Sequence, residues 1–121
     1  MCSCRQDPCA TDPPLLQQVV RATGNRDDET VTLPAGHNRW AVHVRPVSTV
    51  TAGAVEVQLG VRDPATPSTW SFAKAGSVAY SATGGRTDGT MAPIEHQLKV
   101  AITGYVGAGE LVVLAESWRE P

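Results

Sequence analysis

Val55-Glu56-Val57-Gln58-Leu59-Gly60-Val61-Arg62 decides the fold of this chain. Valine and leucine alternate with polar residues at a strict period of two, so Val55, Val57, Leu59 and Val61 share one face. That is the signature of a half-buried β-strand. Working outward from it, the same period recurs. Trp40, Val42 and Val44 alternate with Arg39, His43 and Arg45 upstream, and His96, Leu98, Val100 and Ile102 alternate with Gln97 and Lys99 downstream. Thr30-Val31-Thr32-Leu33, Thr69-Trp70-Ser71-Phe72 and Ser77-Val78-Ala79-Tyr80 read as shorter strands. Trp40 and Trp70 fall in phase with apolar neighbours, where a core position is the default.

The punctuation between these strands is glycine and proline. Pro34-Ala35-Gly36, Thr51-Ala52-Gly53 and Asp63-Pro64-Ala65-Thr66-Pro67 read as turns or loops, and Gly84-Gly85-Arg86-Thr87-Asp88-Gly89 as the longest polar excursion. Gly104-Tyr105-Val106-Gly107-Ala108-Gly109 reads as a hairpin turn into Leu111–Trp118. It opens no helix, so it lacks the helix N-terminus that a phosphate-binding glycine loop needs. The last strand is apolar on both faces over Leu111-Val112-Val113-Leu114, which predicts a central place in a sheet or a covered outer face. No helical pattern separates the strands to provide a parallel crossover. The expectation is an all-β, antiparallel β-sandwich, jelly-roll or immunoglobulin-like, of six to eight short strands with an extended N-terminal arm.

The 121 residues suit one domain. Charged residues are 18%, below the usual level of about 25%, beside 11 Gly and 9 Pro. That balance fits short strands and tight turns better than a bundle of solvated helices. Residues 1–26 differ in character and read as a cysteine-containing arm and linker, with 27–121 as the sandwich. Within the arm, Leu15-Leu16-Gln17-Gln18-Val19-Val20 fits one or two helical turns after Asp12 and Pro13-Pro14, and equally an extended segment. Met1 to Ala10 has no apolar h-region, so the expectation is synthesis in the cytoplasm with no signal peptide. No apolar run approaches the length of about 20 residues that spans a bilayer. The net charge of -2, with no run of Lys or Arg, argues against nucleic acid and anionic membrane as partners.

Candidate chemistry concentrates in Cys2, Cys4 and Cys9. Their C-x-C-x4-C spacing lacks a fourth cysteine and the paired C-x2-C that presents two sulfurs to one metal. Three readings stay open: free thiols, a disulfide to a neighbouring subunit, or a metal ion shared between subunits. Leu15, Leu16, Val19 and Val20 join them as candidate inter-subunit contacts. No other cofactor is expected. His37, His43 and His96 show no metal-binding spacing and read as satisfied surface or edge side chains. No serine sits in a nucleophile elbow, and the cysteines lie where catalytic geometry is not held. No catalytic residue is therefore expected. Asp27, Asp28 and Glu29 lack calcium-loop spacing, and Asp63 and Asp88 read as turn formers. Trp70 and Trp118 are the candidates for stacking on a glycan.

The segment from Trp40 to Trp118 carries a further pattern. A valine-rich strand and the turn Thr51-Ala52-Gly53 precede Val55–Val61, and then comes Asp63 before Ser68-Thr69-Trp70. Leu98-Lys99-Val100-Ala101-Ile102 and the closing Glu110-Leu111-Val112-Val113-Leu114 follow. This cadence resembles the small β-sandwich accessory structural proteins of tailed bacteriophages, over the last two-thirds of the chain and without the arm. The resemblance implies a non-enzymatic virion component: a capsid decoration or cement protein, or a neck or tail accessory. It would be homo-oligomeric, with capsid, portal or tail proteins as partners. The alternative is a carbohydrate-binding or host-adhesion module on the same kind of sandwich.

Overall fold

The computed structural model describes residues 14–121. They form eight strands: β1 (Leu15–Ala22), β2 (Arg26–Leu33), β3 (Arg39–Pro46), β4 (Val50–Arg62), β5 (Trp70–Ser81), β6 (Gly85–Thr90), β7 (His96–Gly107) and β8 (Leu111–Trp118). One sheet, here sheet A, has the order β1-β8-β3-β6, and sheet B has the order β2-β7-β4-β5. All pairings are antiparallel. The pairing is nested. The first strand pairs with the last, β2 with β7, β3 with β6, and β4 with β5. Pairings of β3 with β8 and of β4 with β7 knit these couples into sheets. Every connection except β4–β5 crosses from one sheet to the other. This is the jelly-roll arrangement, a long hairpin folded over on itself. The immunoglobulin order, in which several consecutive strands share a sheet, is excluded.

The period-two pattern explains the core directly. Trp40, Val42 and Val44 of β3 and Leu111, Val113 and Ala115 of β8 face inward from sheet A. Opposite them stand Val55 and Val57 of β4 with Leu98, Val100 and Ile102 of β7, nearly all fully buried. Each such valine, leucine or isoleucine contributes about 1.5–3 kcal/mol by leaving water. The doubly apolar β8 is central, between β1 and β3, as its sequence predicts. Its outward residues Val112 and Leu114 are half-buried.

Five features depart from the sequence reading. First, Leu15–Ala22 takes the extended alternative and not the helical one, but as an edge strand of sheet A that buries Val20 and Ala22 in the core. An extra residue, Val19, interrupts its register with β8 and masks its period. Leu15–Ala22, read from sequence as part of the arm and linker, thus belongs to sheet A; residues 1–13 lie outside the described residues. Second, the polar Gly85–Thr90 excursion is a strand paired with β3. Its inward positions are Gly85, Thr87 and Gly89, so no apolar alternation announces it. Third, β5 is one strand with Ala75 as an extra residue between Lys74 and Gly76. The slip reverses the phase, so Trp70 and Phe72 share the outer face with their partners Arg62 and Gly60, and Trp70 is not a core residue. Fourth, Thr51-Ala52-Gly53 lies within β4, where two register irregularities against β7 absorb its poor strand propensity. Fifth, β7 continues to Gly107, and the chain then crosses to the other sheet instead of making a hairpin. Gly107 has φ 137°, which favours glycine, and packs on the Thr49 carbonyl.

The two sides of the sandwich are closed by small contacts. Gln17 Nε2 donates to the Thr32 carbonyl at 2.8 Å, joining β1 to β2. On the other side β5 and β6 meet through glycines. A Cβ at Gly76 would lie 3.1 Å from Thr87 Oγ1, and one at Gly85 would lie 2.7 Å from Val78 Cγ2.

Candidate interaction surface

The nested order fixes which residues meet at each end of the sandwich. β1 starts where β8 finishes, since Leu15 pairs with Ser117. The same end holds the connections 34–38, 63–69 and 91–95. A latch secures it. Asn38 Nδ2 donates to the Glu120 carbonyl and Asn38 Oδ1 accepts from the Glu120 amide, both at 2.8 Å. The Asn38 amide bonds to the Trp118 carbonyl, Arg39 pairs with Glu120, and Arg119 donates to the Gly36 carbonyl. In effect the Asn38 side chain extends the β3–β8 ladder beyond its last strand residue.

Among the described residues, six large apolar side chains are exposed, and four of them lie at this terminal end: Leu15, Leu16, Val61 and Ile94. Leu16 is 58% exposed and Ile94 49%. Leu15 and Leu16 are two of the inter-subunit candidates read from sequence. Val19 and Val20, the other two, instead pack on or in the core. Ile94 and Val61 escaped the sequence reading. Ile94 sits alone after Pro93, outside any alternation, and Val61 looked like one more core residue of β4. Val61 is the last apolar position before the strand runs out of partners, which leaves it at the mouth of the sandwich.

Trp70 and Trp118 also belong to this end, both half-buried. The Arg62 guanidinium lies 4.6 Å from the Trp70 ring centroid. It is held there by Glu95 Oε1 at 3.0 Å and by the Pro67 carbonyl at 2.8 Å. Arg39 lies 6.0 Å from the Trp118 ring. Each indole thus has one face given to a guanidinium, a contact worth about 0.5–1 kcal/mol at an exposed site. On the outer face of sheet B, Phe72 lies across Gly60, with Lys99 Nζ 4.1 Å from its centroid.

The remaining polar candidates resolve individually. His37 is buried, with Nδ1 2.7 Å from Ser117 Oγ. His96 is buried with Nδ1 on the Ile94 carbonyl, so both are internal side chains with partners. His43 faces outward on sheet A and meets Glu116 at 3.0 Å. Asp63 accepts from the Ala65 amide at 2.9 Å, the turn role its sequence predicts. Asp28 occupies a left-handed conformation (φ 57°) in the irregular start of β2 and faces Lys99. No group of three or more metal-ligating side chains occurs among the described residues. Cys2, Cys4 and Cys9 lie outside them.

The buried hydroxyl of Tyr80 has no hydrogen-bond partner among the described residues, and its ring lies across Gly53 of the neighbouring strand β4. Burial raises its pKa above the usual 10.0, and neighbouring Tyr105 adds to this. Tyr105 is raised as well, by burial and then by Glu110. No family model, curated protein or solved structure matches the chain.

Proposed function

We propose that the chain is a non-enzymatic structural protein of a bacteriophage particle, a capsid decoration or cement protein or a neck or tail accessory. It docks through the terminal end of its jelly roll, assisted by the cysteine-containing N-terminal segment. The observation that carries the reading is the convergence at one end of exposed Leu15, Leu16, Val61 and Ile94 with the strand that leads back to Cys2, Cys4 and Cys9. Exposed apolar side chains gathered at one end favour a protein surface as partner. Jelly rolls recur in viral capsid and lectin domains, which supports the assignment by architecture. The partners are further copies of the chain and other virion proteins, and its location is the virion.

Truncation must respect β1. Removing residues 1–26 would delete an edge strand, so the informative variant removes 1–13. Mass photometry of the full chain, the 14–121 chain and Leu16→Asp tests the reading. Self-association of the full chain that weakens in both variants is expected. A full chain that stays monomeric and fails to bind purified capsid, portal or tail proteins of its gene neighbourhood would overturn it.

A carbohydrate-binding module is the second reading, favoured by one observation: Trp70 faces outward with a half-exposed ring. It predicts glycan-array binding that is lost in Trp70→Ala, whereas the structural reading predicts no signal.

A further inference from the structure

We propose that β6 is a displaceable strap, which opens by local unfolding to expose Trp40 and a pairing edge on β3. This goes beyond the docking role assigned to the terminal end. The four edge strands of the sandwich are not alike. β1 buries Val20 and Ala22, β2 buries Leu33, and β5 buries Val78 and Tyr80. β6 buries no side chain fully: Gly85, Thr87 and Gly89 are half-buried, and Arg86, Asp88 and Thr90 are exposed. Among the described residues its one ion pair, Arg86 with Asp88, lies within the strand.

β6 is held by its backbone pairing with β3, from Arg39↔Thr90 to Val44↔Gly85, and by the packing of Gly85 and Thr87 on Val78 and Gly76 of β5. Two glycines in that pairing gain more freedom on release than any other residue would. Regions with few buried apolar contacts and exposed backbone hydrogen bonds occupy the low end of local stability. β3 loses little when β6 leaves, since it stays paired with β8 over Arg39–Pro46. Release frees the second hydrogen-bonding edge of β3 and uncovers the indole of Trp40.

The edge also states what it accepts. A Cβ at position 89 would lie 2.9 Å from Trp40 Nε1 and Cζ2, and one at position 85 would lie 2.7 Å from Val78 Cγ2. A strand that replaces β6 therefore needs glycine opposite both Trp40 and Val44. An extended segment of the form Gly-x-Thr-x-Gly, antiparallel to β3, is the ligand this edge fits.

Native-state hydrogen exchange on the full chain tests the strap. Amides of β6, and the β3 amides bonded to it, should exchange at least about tenfold faster than those of β7 and β8. Protection of β6 equal to that of β7 would overturn the proposal. A disulfide clamp, Ala41→Cys with Asp88→Cys in a Cys2→Ser, Cys4→Ser, Cys9→Ser background, provides the second measurement. The clamp should slow β6 exchange and reduce acrylamide quenching of Trp40, read in a Trp70→Phe, Trp118→Phe chain. Unchanged β6 exchange in the oxidised clamp would mean that exchange does not proceed by strap opening, and the proposal falls.

Discussion

Tyr80 shows how a single atom can set a stability profile. Its ring fills the space over Gly53, but its hydroxyl is buried without a partner among the described residues. An unsatisfied buried hydroxyl costs about 1–3 kcal/mol, so Tyr80→Phe should raise stability by about 1 kcal/mol in urea denaturation. The same burial holds the phenol protonated in the folded chain, with Tyr105 adding to the effect. The unfolded chain releases this proton near its ordinary value of 10.0. Below that pH the stabilising contribution is fully present, and it is lost as pH rises through the higher folded-state value. The urea midpoint should therefore fall as pH rises past the ordinary value of 10.0, and fall less steeply in Tyr80→Phe. Gly89 is the reciprocal case, a residue defined by what it omits. Gly89→Ala would press a methyl 2.9 Å from the Trp40 indole and should cost about 1–3 kcal/mol. Core spectroscopy would report it as a shift in Trp40 emission.

At the scale of elements, legibility followed the chemistry of the inward positions. β4, β7 and β8 announce themselves because valine, leucine and isoleucine occupy every second place. β6 was invisible because glycine and threonine stand where the apolar residues would be. They stand there because Trp40 already fills the space. β1 and β5 are hidden for a different reason: one extra residue, Val19 or Ala75, reverses the phase midway, and a strict period of two breaks there. That same broken phase makes Trp70 look like a core residue in the sequence. The candidate surface is half legible in the sequence, since Leu15 and Leu16 stand in the N-terminal segment, whereas Val61 and Ile94 become surface only through the way the ends are assembled. The terminal latch was not legible at all, because it joins Asn38 to Glu120 across most of the chain. Asn38→Ala removes both of its bonds to Glu120 and should cost about 1 kcal/mol, with an unchanged denaturant slope.

For the molecule as a whole, the nested order means that β4 and β5 form the most local pair and that each surrounding couple closes a longer loop. Sheets built from such distant partners fold slowly, on the order of milliseconds to seconds. Stopped-flow kinetics should show Val55→Ala, in the innermost couple, slowing folding. Val20→Ala, in the outermost, should mainly speed unfolding. The reverse pattern would place the nucleus at the outer strands. The pairing of Leu15 with Ser117 has a mechanical consequence. The backbone leaves β1 and β8 at the same end of the same strand pair. A load pulling these two exits apart meets the hydrogen bonds one rung at a time, like a zip, and never shears the ladder as a set. The sandwich should bear compression and lateral packing well but yield to tension between its own ends. A tether into a neighbour through the N-terminal segment would then withstand force only if the terminal end is clamped by that neighbour.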